Sequence, residues 1–242
     1  MMRDLDRYQQ EYLDNPFEEE LLVYRHQIAV GMLEKLNARN IIEVGCGLRP
    51  LFDYFDQFDR LTIVEPSPAF AQYAKDRAPR NTVVFNEHLS IDTDYSKEPP
   101  DAILLSSLLH EVEHPETLLE TVARLASNET VIHVSVPNAH SFHRQLALKM
   151  GIIDSLTEKS ERQTRFQQHS TFTVESLTSL VESTGYKVLE IGTFFIKPFT
   201  HEQMQRILDQ KIIDSRVLMG LNAMSDALPA MGAEIYTNLK LS

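Results

Sequence analysis

His110, Glu111 and His114 stand in the order H-E-x-x-H. On one face of a helix, that spacing holds zinc between two imidazoles and sets the carboxylate beside the metal-bound water. The chemistry would be metal-assisted hydrolysis, and it needs both histidines one helical turn apart. Pro115 follows His114 directly, and the residue before a proline is driven out of helical geometry. Pro115 and Glu116 instead suit the opening of a new helix. The stretch is therefore expected in a strand-to-helix loop, with no metal site. In such a loop His110 or Glu111 is placed to accept a proton from a substrate group, work that histidine suits near neutral pH. His114 reads as structural.

A second group of residues points to a nucleoside. In "IIEVGCGLRP" an apolar run ends at Gly45 and Gly47, which permit a tight turn and close backbone approach to a ligand. Glu65 ends the next apolar run, where a carboxylate can accept both hydroxyls of a ribose. A dinucleotide loop would carry a third glycine at position 50. Pro50 stands there and has no N–H to offer a pyrophosphate. A nucleoside without that group is favoured over NAD(P), which would make the protein an oxidoreductase. A non-catalytic nucleoside-binding protein is the other alternative.

The elements that must position these residues alternate. Short β-branched runs, "NIIEVGCG", "LTIVEP", "TVVFNEHL", "DAILLSSLL" and "TVIHVSVPN", are apolar on both faces, as buried parallel strands are. "SPAFAQYAKDRA" and "PETLLETVARLA" read as helices between them, and the first 40 residues also read as helix. "TVESLTSLVESTGY" is a helix capped by Thr173 and closed by Gly185, followed by a strand in "KVLEIGTFFI". "HEQMQRILDQKII" is helical, and "AEIYTNLKL" is a closing strand. The expectation is an α/β fold with helices on both faces of a mostly parallel sheet. Two helical insertions, 138–171 and 197–231, follow strand ends and are candidates for a lid.

"IIEVGCG" followed by "IVEPSPAF" resembles the first motif and acidic second-strand end of class I S-adenosylmethionine-dependent methyltransferases. "DAILLSSLLHEVEHPETLL" is similar to that family's fourth strand and the loop after it. The resemblance covers residues 38 to 137, and more loosely the rest of the chain. It implies a Rossmann-like, seven-stranded sheet in a single domain. Residues 1–37 would form a helical cover over a cofactor-binding core at 38–137. It further implies S-adenosylmethionine as cofactor and S-adenosylhomocysteine as product. Glu43, Gly45, Cys46 and Gly47 would line the methionine side. Glu65, Pro66 and Ser67 would meet the ribose, and His88 and Leu89 the adenine. Ser106, Ser107 and Leu108 would stand near the transferable methyl. Arg49 departs from the family loop, which often has a further glycine there.

Beyond the core, "SVPNAHSFHRQLALKMG", "GYKVLEIGTFFIKPFTHEQM" and the "SERQ…H" stretch resemble methyltransferases associated with sugar and cell-surface polysaccharide biosynthesis. That implies methyl transfer to a hydroxyl or amine of a small molecule such as a sugar or sugar nucleotide. Catalytic candidates are His110, Glu111, His140 and His143. Substrate candidates are Tyr12, Asn138, Arg144, Arg165 and His169, with Arg162 beside them. Tyr24 and Arg25 lie on the N-terminal cover.

A net charge of −12 argues against non-specific nucleic-acid binding. No apolar run spans a bilayer, the N-terminus lacks a signal-peptide core, and the single cysteine, Cys46, suits a reducing cytoplasm. Neither a membrane nor a nucleic acid is expected as partner; a homodimer is allowed.

Overall fold

The apolar runs become one sheet. The computed structural model describes residues 16–159, 164 and 168–242. Its strands are β1 (Asn40–Val44), β2 (Arg60–Val64), β3 (Thr82–Phe85), β4 (Ala102–Ser106), β5 (Val131–Pro137), β6 (Tyr186–Phe194) and β7 (Glu234–Leu241). They lie in the order β3-β2-β1-β4-β5-β7-β6. The first five are parallel, while β7 runs antiparallel to β5 and β6. The helices are α1 (Glu18–Leu36), α2 (Pro68–Arg77), α3 (Pro115–Leu125), α4 (Phe142–Lys149), α5 (Val174–Ser183), α6 (His201–Asp209) and α7 (Ser215–Ala223). None of these is long and apolar enough to cross a membrane.

The pleat sorts each buried strand's side chains into two cores. Ile42, Val44, Ile103, Leu105, Ile132 and Val134 meet Leu119 and Val122 of α3 and Leu177 and Val181 of α5. Ile41, Ile63 and Leu104 meet Met32 and Leu33 of α1 and Ala74 of α2 on the other face. A third cluster joins Phe17, Leu21 and Tyr24 to Phe194, Phe195, Met204 and Leu218, so the N-terminal helix is fastened to the C-terminal helices.

The helix signals act where expected. Pro115 opens α3. Thr173 and Ser176 form a capping box at α5, and Gly185 follows in the left-handed region at φ 86°. Two expectations are corrected. The N-terminal helix spans only Glu18–Leu36 of the described residues, and Asn37 stops it with φ 50°, a conformation asparagine tolerates. The third strand ends at Phe85, because the Asn86 side chain turns to donate to the Glu65 and Pro66 carbonyls. Within 197–231 the chain is helical as expected, in two short helices and a 3₁₀ turn, Met224–Asp226.

From β1 the chain steps outward to β2 and β3, then returns across β1 to β4. Such a reversal opens a crevice at the carboxyl ends of the strands. Because β7 is antiparallel, its first residue, Glu234, stands beside Pro137 at that same end.

Candidate active site

A cavity of about 1260 Å³ lies over that crevice. Glu43, Gly45, Cys46, Gly47, Glu65, Pro66, His88, Leu89, Ser106, Ser107 and Leu108 all line it. The glycine loop is folded close to the sheet. Gly45 has φ 77° and donates its N–H to the Val64 carbonyl at 2.9 Å; Gly47 has φ 54°. Leu108 covers this loop, with Cδ1 3.6 Å from the point where a Cβ on Gly45 would sit.

Glu65 is 4% exposed. Its Oε2 accepts the Gly47 N–H at 3.1 Å and its Oε1 accepts the Ser67 N–H at 2.8 Å. Burial raises its pKa, and these two donors work against the rise. Ser67 itself does not line the cavity, which corrects its placement against the ribose; its backbone orients Glu65. Glu43, buried at the end of β1, accepts the Leu51 N–H at 2.9 Å. Desolvation pushes its pKa up to about 8. Burial likewise pushes the Cys46 thiol up, so this cysteine lines the site as a neutral group. Arg49 reaches across to Glu19 of α1 at 2.6 Å and ties the loop to the helical cover.

The HEVEH residues lie in a loop, and α3 begins only at Pro115. Ser107 sets the loop's direction. It takes φ 55°, and its N–H donates to the Ser135 carbonyl and hydroxyl, each at 3.0 Å. His110 is 2% exposed and lines the cavity, with Nε2 3.8 Å from Glu111 Oε1. Its carbonyl accepts the His169 N–H at 2.9 Å, which docks that segment on the loop. His143, His169 and Glu111 also line the cavity.

One other candidate is corrected. His140 does not line the cavity; its N–H donates to Asn138 Oδ1 at 2.9 Å. Asn138 reaches the wall, but its amide is committed to the Ala230 and Gly232 carbonyls at 3.1 and 2.9 Å. Arg144 is spent on the backbone after α4, donating twice to the Leu156 carbonyl and once to that of Glu158. These two side chains line the cavity and also brace its framework. Tyr12, Arg162 and Arg165 lie outside the described residues. Tyr24 packs on Phe195 at 4.9 Å between ring centroids and belongs to the core.

Sequence reasoning placed Arg25 on the N-terminal cover and missed the partners that β7 and α6 bring to that side of the cavity. Arg25 donates to both carboxylate oxygens of Glu234, through Nε at 2.8 Å and through Nη2, and to Glu18 at 3.0 Å. His26 stacks on Tyr54 at 3.5 Å between centroids, 8° from parallel. Burial first, then Arg25 and Arg49, lower the His26 pKa to about 3, so this ring is neutral. Lys197 Nζ donates to His201 Nδ1 at 2.7 Å, and His201 Nε2 lies 4.0 Å from Glu18. No spacing announces these partners; Arg25 and Glu234 are 209 positions apart.

The cradle suits a nucleoside sulfonium and not a dinucleotide. A loop with glycines at two positive-φ positions faces a buried carboxylate that still has lone pairs to share. Pro50, at φ −56°, ends the loop without an N–H. A family model described as methyltransferase domain matches residues 11–191.

The chain belongs to this methyltransferase family. It is a class I S-adenosylmethionine-dependent methyltransferase, which sets aside the oxidoreductase and non-catalytic alternatives. Among curated protein sequences none matches this methyltransferase. Solved structures share its fold. The plantazolicin methyltransferase BpumL, in complex with a pentazolic desmethylPZN analog and SAH, aligns with a TM-score of 0.60 at 17% identity, covering 98% of this chain and 90% of that one. A possible histamine N-methyltransferase from Thermotoga maritima aligns at 0.55 and 16% identity, covering 92% and 94%. The mitomycin 7-O-methyltransferase MmcR aligns at 0.54 and 12% identity, covering 85% of this chain and 49% of that one. At such identities the likeness concerns the fold.

Proposed function

We propose that the methyltransferase methylates a hydroxyl or amine of a small molecule, a sugar or related metabolite, beneath a lid formed by 138–171 and 197–231. On this reading residues 1–37 form the cover and 38–137 the cofactor-binding core. The observation that carries it is the position of His110, buried in the wall of the cavity that also holds the glycine loop and Glu65. The resemblance of "SVPNAHSFHRQLALKMG" and "GYKVLEIGTFFIKPFTHEQM" to sugar-associated methyltransferases supports the acceptor class.

S-adenosylmethionine, when bound, supplies a methyl group on a sulfonium leaving group. Glu65 would hold the ribose, and the glycines Gly45 and Gly47 would let the backbone approach the methionine part, with Cys46 lining the cavity between them. Leu108 and the Ser106–Ser107 turn shape the wall nearest the acceptor. The protein's contribution is alignment and exclusion of water. His110 Nε2 takes the acceptor's hydroxyl proton. The proton then sits on Nε2, 3.8 Å from Glu111 Oε1, and that carboxylate stabilises the imidazolium formed. His143 and His169 contact the acceptor from the lid.

The test supplies S-adenosylmethionine with a panel of sugars, sugar nucleotides and aryl glycosides and measures S-adenosylhomocysteine formed. His110→Ala is expected to lower turnover on the best acceptor by roughly 10²–10⁴-fold, the usual worth of a general base. Unchanged turnover with intact cofactor binding would reject His110 in that role.

A further inference from the structure

We propose that the acceptor is amphipathic: its reacting group lies at His110, while an apolar segment of the same molecule runs along α4 and the residues after it. This rests on the methyl-transfer reading above and specifies its acceptor. The helix α4 has no fully buried residue. Its Leu146 and Ala147 line the cavity, and Met150, Ile152 and Ile153 continue that wall outward, with Leu118 of α3 lining the same space. Met150 is 63% exposed and Ile152 66% exposed.

Single exposed apolar side chains are ordinary. These are contiguous, and they extend a ligand cavity to the solvent, which marks a binding surface. The cavity's volume, about 1260 Å³, also exceeds the roughly 300–1,000 Å³ of a usual small-molecule site. There is room for a cofactor and a sizeable acceptor together. A bare sugar would leave the apolar wall wet. A glycoside carrying an alkyl or aryl group would cover it, with its hydroxyls turned toward His110.

The test titrates the S-adenosylhomocysteine-saturated protein with methyl β-glucoside and with octyl β-glucoside below its micelle concentration, by calorimetry. Each methylene buried strengthens binding by roughly fourfold, so octyl β-glucoside is expected to bind at least tenfold tighter. Met150→Glu and Ile152→Glu should each reduce that advantage and leave the affinity for S-adenosylhomocysteine unchanged, which also reports that the variants are folded. Equal affinity for the two glucosides would overturn the proposal. So would an octyl advantage that survives both substitutions, because the alkyl chain would then bind elsewhere. Failure of S-adenosylhomocysteine itself to bind would overturn the methyl-transfer reading and this acceptor with it, whereas the glucoside outcomes bear on the acceptor alone.

Discussion

Glu65 accepts two backbone N–H groups and keeps acceptor capacity toward the cavity. Hydrogen bonds to a charged group contribute roughly 1.5–3 kcal/mol each. Glu65→Gln is therefore expected to weaken S-adenosylhomocysteine by roughly 10–100-fold with an unchanged circular dichroism spectrum; calorimetry reads the loss. Glu43 governs a different property. Its folded pKa, about 8, lies above the ordinary carboxylate value because burial disfavours the charge. The folded state therefore holds a proton that the unfolded chain has released. Stability from this group is complete below the unfolded value and is lost as pH rises through about 8. Glu43→Gln keeps an acceptor for the Leu51 N–H and has no charge to bury. Its melting temperature is expected to exceed that of the parent protein at pH 9 and to match it at pH 5, as measured by calorimetric scans. The residues that line the cavity around the glycine loop were legible because strand ends, glycines and acids recur at fixed offsets. Ser67 was misjudged because its amide and its side chain play different parts.

Elements carry the next set of consequences. Arg25 on α1 and Glu234 at the head of β7 form a buried pair that also takes in Glu18. Removing one partner leaves an uncompensated charge away from water. Arg25→Ala is expected to cost about 3–5 kcal/mol in denaturant unfolding, more than any exposed pair such as Arg49–Glu19 would. Gly45→Ala should cost roughly 1–2 kcal/mol, because φ 77° is left-handed. Leu108 at 3.6 Å adds only ordinary contact. The β-branched strands and the capped helix α5 could be read in the sequence because both depend on local pattern. The pairing of α1 with β7 could not, since neither partner's neighbours distinguish it from a surface charge. The same holds for Asn138 and Arg144. They resemble substrate ligands in composition, and only the folded loops show that backbone carbonyls already occupy them.

At the scale of the whole molecule, the cavity is lined at the carboxyl ends of β1, β2, β4 and β5 and closed by α1 and α6, elements far apart in the chain. A ligand that binds there and not to the unfolded chain must stabilise every element at once. At a hundred times its dissociation constant, S-adenosylhomocysteine should add about 2.7 kcal/mol. For a chain of 242 residues that corresponds to a rise of roughly 5–10 °C in Tm. The net charge of −12 and Pro50 give no such purchase to a dinucleotide. The most direct test of the account is a calorimetric titration with S-adenosylhomocysteine beside one with NAD. Saturable one-to-one binding of S-adenosylhomocysteine, weakened roughly 10–100-fold in Glu65→Gln and absent for NAD, is the predicted result. Binding of NAD in its place, or of neither ligand by folded protein, would contradict the assignment of this cavity to the methyl donor.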